Sequence, residues 1–312
     1  MTTCVYGGAG LAAYGFPDGH PFGPDRFDAF WREFLKRGLD RKVRVREAVP
    51  CSRGELLRFH SAAYVDRVET QSRTGEGYLD YGDTPAYVGV YDDSRMVVGT
   101  VLDAAQKIVD GECAQAFVPI AGLHHARRDG AAGFCVFNDI GVLIEWLRAE
   151  RGLGRIAYVD IDAHHGDGVF YSFEDDPNLV FADIHEDGRF LYPGTGDASE
   201  TGTGPAKGTK LNIPMPPGAD DRQFHAAWPK LEEFIRAGRP EFVILQAGAD
   251  SVAGDPITHM RFSPAAHTHA ARRLSMLALE LCGGRFIATG GGGYNRASLA
   301  AAWCGVVEGM LG

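Results

Sequence analysis

Between Tyr158 and Gly168 the chain reads Tyr-Val-Asp-Ile-Asp-Ala-His-His-Gly-Asp-Gly, three carboxylates and two imidazoles in eleven residues. The preceding Ile156, Ala157, Tyr158 and Val159 read as a buried parallel strand, where unpaired charge would cost several kcal/mol. Acids at the carboxyl end of such a strand need a compensating cation, and a metal ion supplies it. Asp162 and His164 are two positions apart, so in extended backbone their side chains leave on one side. An oxygen and an imidazole suit a borderline ion such as Zn²⁺, with Fe²⁺ an alternative for the same ligands in a reducing cytosol. Asp160, His165 and Asp167 then take supporting or turn-forming roles. A polar strand-to-helix loop with capping acids explains one Asp or one His, but not this density.

The elements that must hold these groups follow from the alternation of short apolar runs with helical patterns, the sequence of a parallel sheet covered on both faces. Strands are predicted near 115–120, 155–161, 179–184, 209–215, 242–248 and 285–291. Helices are predicted over roughly 24–37, 54–70, 93–110, 139–151, 221–237, 264–282 and 296–311. The stretch from Gly194 to Gly208 reads as a long surface loop, and nothing resembling a linker or a repeat divides residues 1–312, which points to one domain. In open parallel sheets ligands bind beyond the carboxyl ends of the strands. Those ends share a chemistry: Gly122-Leu123-His124-His125, the Asp/His cluster, Asp250, and Gly291-Gly292-Gly293-Tyr294. Asp162, His164 and Asp250 make a plausible three-ligand site with coordination positions left for water and substrate.

With 312 residues, 45% of them hydrophobic, the chain can bury a large core. A net charge of −10 argues against a nucleic-acid partner and leaves room for a cationic substrate. Cys4, Cys51, Cys113, Cys135, Cys282 and Cys304 are scattered without a Cys-x-x-Cys pair, so all six are expected to be reduced thiols of a cytosolic protein. The amino terminus has no basic region before an apolar stretch, and no window reaches a membrane span, so a soluble cytoplasmic protein is expected. The oligomeric state stays open.

Six ordered motifs make the chain resemble the metal-dependent histone deacetylase family, which includes bacterial deacetylase-like amidohydrolases and acetylpolyamine amidohydrolases. They are Gly122-Leu123-His124-His125-Ala126; Gly133-Phe134-Cys135 with Asn138-Asp139; the Asp160–Gly168 run; Tyr192-Pro193-Gly194-Thr195-Gly196; Gly248-Ala249-Asp250 with Gly254-Asp255-Pro256; and the glycine run ending in Tyr294-Asn295. The resemblance implies an α/β fold of three αβα layers with a multistranded, mainly parallel sheet, the arginase/deacetylase fold. It implies hydrolysis of an N-acyl amide, acetyl by default, on acylated lysine in a protein or peptide, or on an acylated polyamine. Asp162, His164 and Asp250 would bind Zn²⁺. His125, partnered by Asp167, would be the general base toward metal-bound water. His124, oriented by Asp160, would supply positive charge or a proton, and Tyr294 would donate to the scissile carbonyl. Phe134 and Tyr192 would line an acyl-lysine channel, with Asp83 at its rim. The space for the acyl group would lie near Gly133, Gly292 and Arg26. Potassium is implied beside the zinc, on backbone oxygens around Asp160, Asp162 and His164 with Asp183 and Ile184.

Three rivals meet their own residues. A binuclear arginase-type site needs a second acid two positions after Asp250, where Val252 stands. A polyamine-selective site in some relatives carries an acid after the Gly-Asp-Pro turn, where this chain has Ile257. A dinucleotide fingerprint is loosely matched by Gly8-Ala9-Gly10-Leu11-Ala12-Ala13, but Pro17 and Pro21 deny it the long helix that receives a pyrophosphate.

Overall fold

In the computed structural model, which describes residues 2–312, eight segments become strands. They are β1 (Thr3–Gly7), β2 (Arg44–Glu47), β3 (Gln115–Val118), β4 (Ile156–Asp160), β5 (Leu179–Glu186), β6 (Lys210–Met215), β7 (Phe242–Gln246) and β8 (Phe286–Thr289). They form one sheet in the order β2-β1-β3-β8-β7-β4-β5-β6, with every pairing parallel. All residues of β1, β3, β4, β5, β7 and β8 are buried, as a sheet covered on both faces demands. Because β7 and β8 insert between β3 and β4, the carboxyl ends of these four strands lie side by side, the geometry of a switch point.

The main helices are α2 (Asp25–Lys36), α4 (Ala62–Thr74), α5 (Val90–Val109), α6 (Asp139–Arg151), α8 (Asp221–Gly238), α9 (Pro264–Cys282) and α10 (Arg296–Leu311), with shorter α1 (Ala9–Ala12), α3 (Arg53–Leu56) and α7 (Asp167–Ser172). In α2 the apolar residues Phe27, Phe30 and Phe34 recur at helical spacing and are buried, each contributing roughly 2–3 kcal/mol. Trp303 of α10 packs edge-on against Phe30 at 5.8 Å, and its indole N–H donates to the carbonyls of Gly290 (3.0 Å) and Ala247 (3.3 Å). One helix side chain thus fixes the exits of β7 and β8, where the chemistry is carried. No helix among the described residues is long and apolar enough to cross a membrane.

Three expectations need correction. β1 and β2 stand where no strand was predicted. The helix expected over 54–70 is broken: Ser52 caps α3 by accepting from the Glu55 amide, and Ser61 caps a new helix by accepting from that of Tyr64. The thiols are not all reduced, because Cys4 and Cys113 form a disulfide. Pairing of β1 with β3 brings these two residues, 109 positions apart, to a Cα separation of 6.0 Å. Cys51, Cys135, Cys282 and Cys304 remain free and buried.

Candidate active site

Beyond Asp160 the backbone leaves β4 alongside β7, the two strands paired through Asp160 and Gln246. Asp162 and His164 therefore meet Asp250, which follows β7. The His164 Nδ1 lies 3.0 Å from Asp162 Oδ1 and 3.1 Å from Asp250 Oδ2, and one ligand atom from each residue falls within 4.8 Å of the others. All three side chains are buried. Burial and the charge of Asp162 push the Asp250 carboxyl up to about 7. Burial opposes protonation of His164, but Asp250 and Asp162 together hold its imidazole well above the ordinary value. Two buried carboxylates and an imidazole nitrogen facing one point form a donor set that fits a divalent cation.

Close approach of backbone completes this cluster. Asp162 Oδ2 accepts from the Gly292 amide at 2.9 Å and from Gln246 Nε2 at 2.8 Å, and Asp250 Oδ1 accepts from the Ala163 amide at 2.9 Å. A Cβ on Gly248 would stand 1.9 Å from Asp162 Oδ2, and one on Gly292 2.1 Å from Asp250 Oδ2. Only glycine fits there.

The loop after β3 carries two histidines to the same place. Asp139, at the start of α6, accepts from the amides of Gly122 (2.9 Å) and Leu123 (2.7 Å), while Asn138 Nδ2 donates to the Ala126 carbonyl at 2.8 Å. His124 Nδ1 then lies 2.7 Å from Asp160 Oδ2, His125 Nδ1 2.6 Å from Asp167 Oδ1, and the two Nε2 atoms 3.1 Å apart. Each ring is thus oriented by an acid at Nδ1, and the two Nε2 edges face each other. Burial, followed by the neighbouring His124, pushes His125 down to about 4. Burial and the charges of Asp183 and Asp162 raise Asp160 well above the carboxylate range, and Tyr158 Oη also donates to it.

A cavity of about 240 Å³ leads outward from His125 and His164 between Gly133, Phe134, Tyr192 and Ile257 to Asp83 at its mouth. Phe134 has φ 69°, an unusual conformation held by its amide donating to Thr84 Oγ1 (3.1 Å) and its carbonyl accepting from Tyr14 Oη (2.8 Å). Tyr294 packs edge-on against Phe134 at 5.8 Å. Beneath the Asp–His–Asp cluster a second cavity of about 10 Å³ is closed by Phe22, Leu123, Cys135 and Gly291. The buried Arg26 lies against it, donating to the carbonyls of Gly293 (2.8 Å) and Gly291 (2.6 Å) and stacking on Phe22 at 3.8 Å. Gly292 borders this inner cavity rather than the outer channel.

A family model described as the histone deacetylase domain matches residues 20–310. The chain belongs to the histone deacetylase family. It is 36% identical over 252 residues to the acetoin utilization protein AcuC of Bacillus subtilis, covering 78% of this chain but only 65% of that protein's length. It is 33% identical over 298 residues to a probable deacetylase of Archaeoglobus fulgidus (94% and 82% covered). With the histone deacetylase RPD3 of Saccharomyces cerevisiae the identity is 30% over 306 residues (95% and 69%). The crystal structure of the HDA15 HD domain superposes with a TM-score of 0.91 at 28% identity, covering all of this chain and 89% of that one, so the fold is the arginase/deacetylase fold.

One residue of the site, Gln246, was missed in the sequence, and another, Asp255, was quoted in a motif without a role. Gln246 closes β7 and holds both Asp162 and, through Oε1, the Gly248 amide at 2.7 Å; a polar residue ending the run Phe-Val-Ile-Leu was the available signal. Asp255 accepts from the Tyr294 amide at 2.7 Å and from the Ile257 amide at 3.0 Å, joining the two loops. Val252 is a buried apolar side chain, and the Asp–His–Asp group is the one candidate metal cluster among the described residues.

Proposed function

We propose that this deacetylase-family hydrolase is a single catalytic domain that removes the acyl group, acetyl by default, from acylated lysine side chains in a zinc-dependent reaction. The observation that carries the reading is the convergence of Asp162, His164 and Asp250 beside the His124–His125 pair at the inner end of an aromatic channel. Asp162, His164 and Asp250 would hold Zn²⁺, or Fe²⁺ in its place, and the metal would supply Lewis acidity toward the acyl carbonyl and toward a water. The implied potassium would lie between the β4 exit and β5, which are paired in register at Asp160 and Asp183.

Asp167 keeps the His125 proton on Nδ1, so Nε2 takes the proton of the attacking water and returns it to the leaving amine. Asp160 orients His124 beside it, where the ring would supply positive charge or a proton as negative charge develops on the acyl oxygen. Tyr294 donates its phenolic proton to that oxygen; burial and Asp250 hold the phenol protonated. Phe134 and Tyr192 exclude water from the aliphatic stem, and Asp83 accepts from substrate amides at the rim. The small inner cavity behind Phe22 favours acetyl over longer acyl groups.

The test is kcat/KM of the zinc-loaded protein for acyl-lysine peptides beside acetylputrescine and acetylspermidine, with a chelated control. Chelator-sensitive turnover of acetyl-lysine peptides is expected. Preference for the free polyamines would move the reading to an acetylpolyamine amidohydrolase, and no amide turnover by the zinc form would end it.

A further inference from the structure

Exposed aromatic side chains are concentrated on the two chain segments that border the channel. Tyr78, Tyr81, Tyr171, Phe190 and Tyr192 are the exposed aromatics among the described residues, and four of the five lie on the two segments that carry Asp83 and Tyr192. Tyr81 is fully exposed and Phe190 is 56% exposed. Tyr81 stands two residues from Asp83, within about 7 Å along the backbone. Phe190 is joined directly to Leu191, which lines the channel.

Both segments are pinned from within. Asp80 accepts from the amides of Gly82 (2.9 Å), Asp83 (2.9 Å) and Thr84 (2.8 Å) and from the Thr84 hydroxyl at 2.6 Å. Asp187 accepts from the Arg189 amide and side chain at 2.5–3.0 Å, and its carbonyl accepts from the Phe190 amide at 2.8 Å. The two aromatic side chains are therefore presented to water on ordered loops, which lowers the ordering cost of whatever covers them. The Asp83 carboxylate, on the first of these segments, has no hydrogen-bond partner among the described residues.

We propose that Tyr81 and Phe190 form a docking rim for a polypeptide substrate, gripping apolar or aromatic side chains next to the acyl-lysine while Asp83 takes its backbone amides. This rests on the deacylase reading and deepens it. A second copy of the chain seated on the same rim would close the route into the site. A linear acylpolyamine occupies the channel with its own stem and has no side groups to reach two aromatic faces outside it. A polypeptide has both the backbone donors and the neighbouring side chains.

The experiment compares the zinc-loaded wild type with the double variant Tyr81→Ala/Phe190→Ala on three substrates: an acetyl-lysine peptide flanked by Leu and Phe, the same peptide flanked by Gly, and acetyl-lysine amide. The wild type should prefer the Leu/Phe peptide over the Gly peptide by about tenfold in kcat/KM. The double variant should lose that preference while keeping acetyl-lysine amide turnover within about twofold. Where the wild type turns these amides over, absence of the preference, its survival in the variant, or an equal loss on all three substrates would overturn the proposal. Docking is read separately from chemistry by the fluorescence anisotropy of the labelled peptides on zinc-loaded Tyr294→Phe, with and without the rim substitutions. A flank-dependent Kd that the rim substitutions abolish, without amide turnover by the wild type, would sustain the docking surface and sink the deacylase reading instead. A Kd blind to flank and to rim would sink the docking surface whatever the turnover.

Discussion

The chain carries the same short pattern at the ends of two neighbouring strands, Asp162-Ala163-His164 after β4 and Asp183-Ile184-His185 within β5, and the structure uses them in opposite ways. Each histidine points Nδ1 at the aspartate two residues before it, at 3.0 Å for His164 and 2.8 Å for His185. The difference is the third partner. His164 meets the carboxylate of Asp250, supplied by β7, and the three groups face one point. His185 spends Nε2 on the Gly196 carbonyl at 2.9 Å, while the second oxygen of Asp183 accepts from the Gly166 amide at 2.9 Å. His185 is thus bonded at both ring nitrogens, and the group closes on itself as a clasp for the loop that carries Tyr192. The same Asp-x-His pattern can thus open or close its donor atoms, and the partner that meets it decides whether they converge with a third ligand atom.

The sharpest way to break this contrast is to remove the third partner. Asp250→Ala should abolish stoichiometric zinc, read by elemental analysis, and lower kcat/KM on an acetyl-lysine peptide by on the order of 10³-fold or more. Tyr294→Phe should keep the metal while kcat falls by about 10²–10³-fold, separating the donor cluster from the oxyanion contact.

Applied to the other pattern, His185→Gln should leave metal content unchanged but cost about 3–5 kcal/mol in denaturant unfolding, because it strands the buried Asp183 charge. Its pH dependence has a definite sign. Burial opposes protonation of His185, yet Asp183 raises its value above the ordinary 6.5. Its contribution is therefore complete below about 6.5 and lost as pH rises through the raised folded value, so the cost of His185→Gln should shrink toward alkaline pH. Remote from both patterns, Cys4→Ser should cost about 2–4 kcal/mol of stability with kcat/KM unchanged.

The contrast also marks what could be read from residues alone. Five of the six predicted strands, β3, β4, β5, β7 and β8, are mainly apolar runs buried on both faces, while β6 is only partly buried, and Asp160–Gly168 stood out by density of charge. β2 escaped because Arg-Val-Arg-Glu is an edge strand with three exposed residues, held by its pairing to β1 rather than by hydrophobicity. β1 is apolar but only five residues long and runs into a glycine-rich segment. The break between α3 and α4 was written in Ser52 and Ser61, whose caps outweighed the apolar periodicity running through both. No spacing rule pairs Cys4 with Cys113, since only the adjacency of β1 and β3 brings them together. Neither could the different fates of His164 and His185 be read from the shared pattern, because each depends on a partner outside it, Asp250 from the β7 exit for one and Gly196 from the loop after β5 for the other.

Asp255 makes one mechanical part of two site elements. Its two carboxylate oxygens grip the amides of Tyr294 and Ile257, so the phenol and one wall of the channel move together. Under the proposed function, a guest broad enough to push Ile257 aside also tugs the phenol out of line with the acyl oxygen to which it would donate. On that reading bulky acyl-lysine mimics would be penalised twice, on entry and again in turnover, and the channel would select by rate as well as by fit.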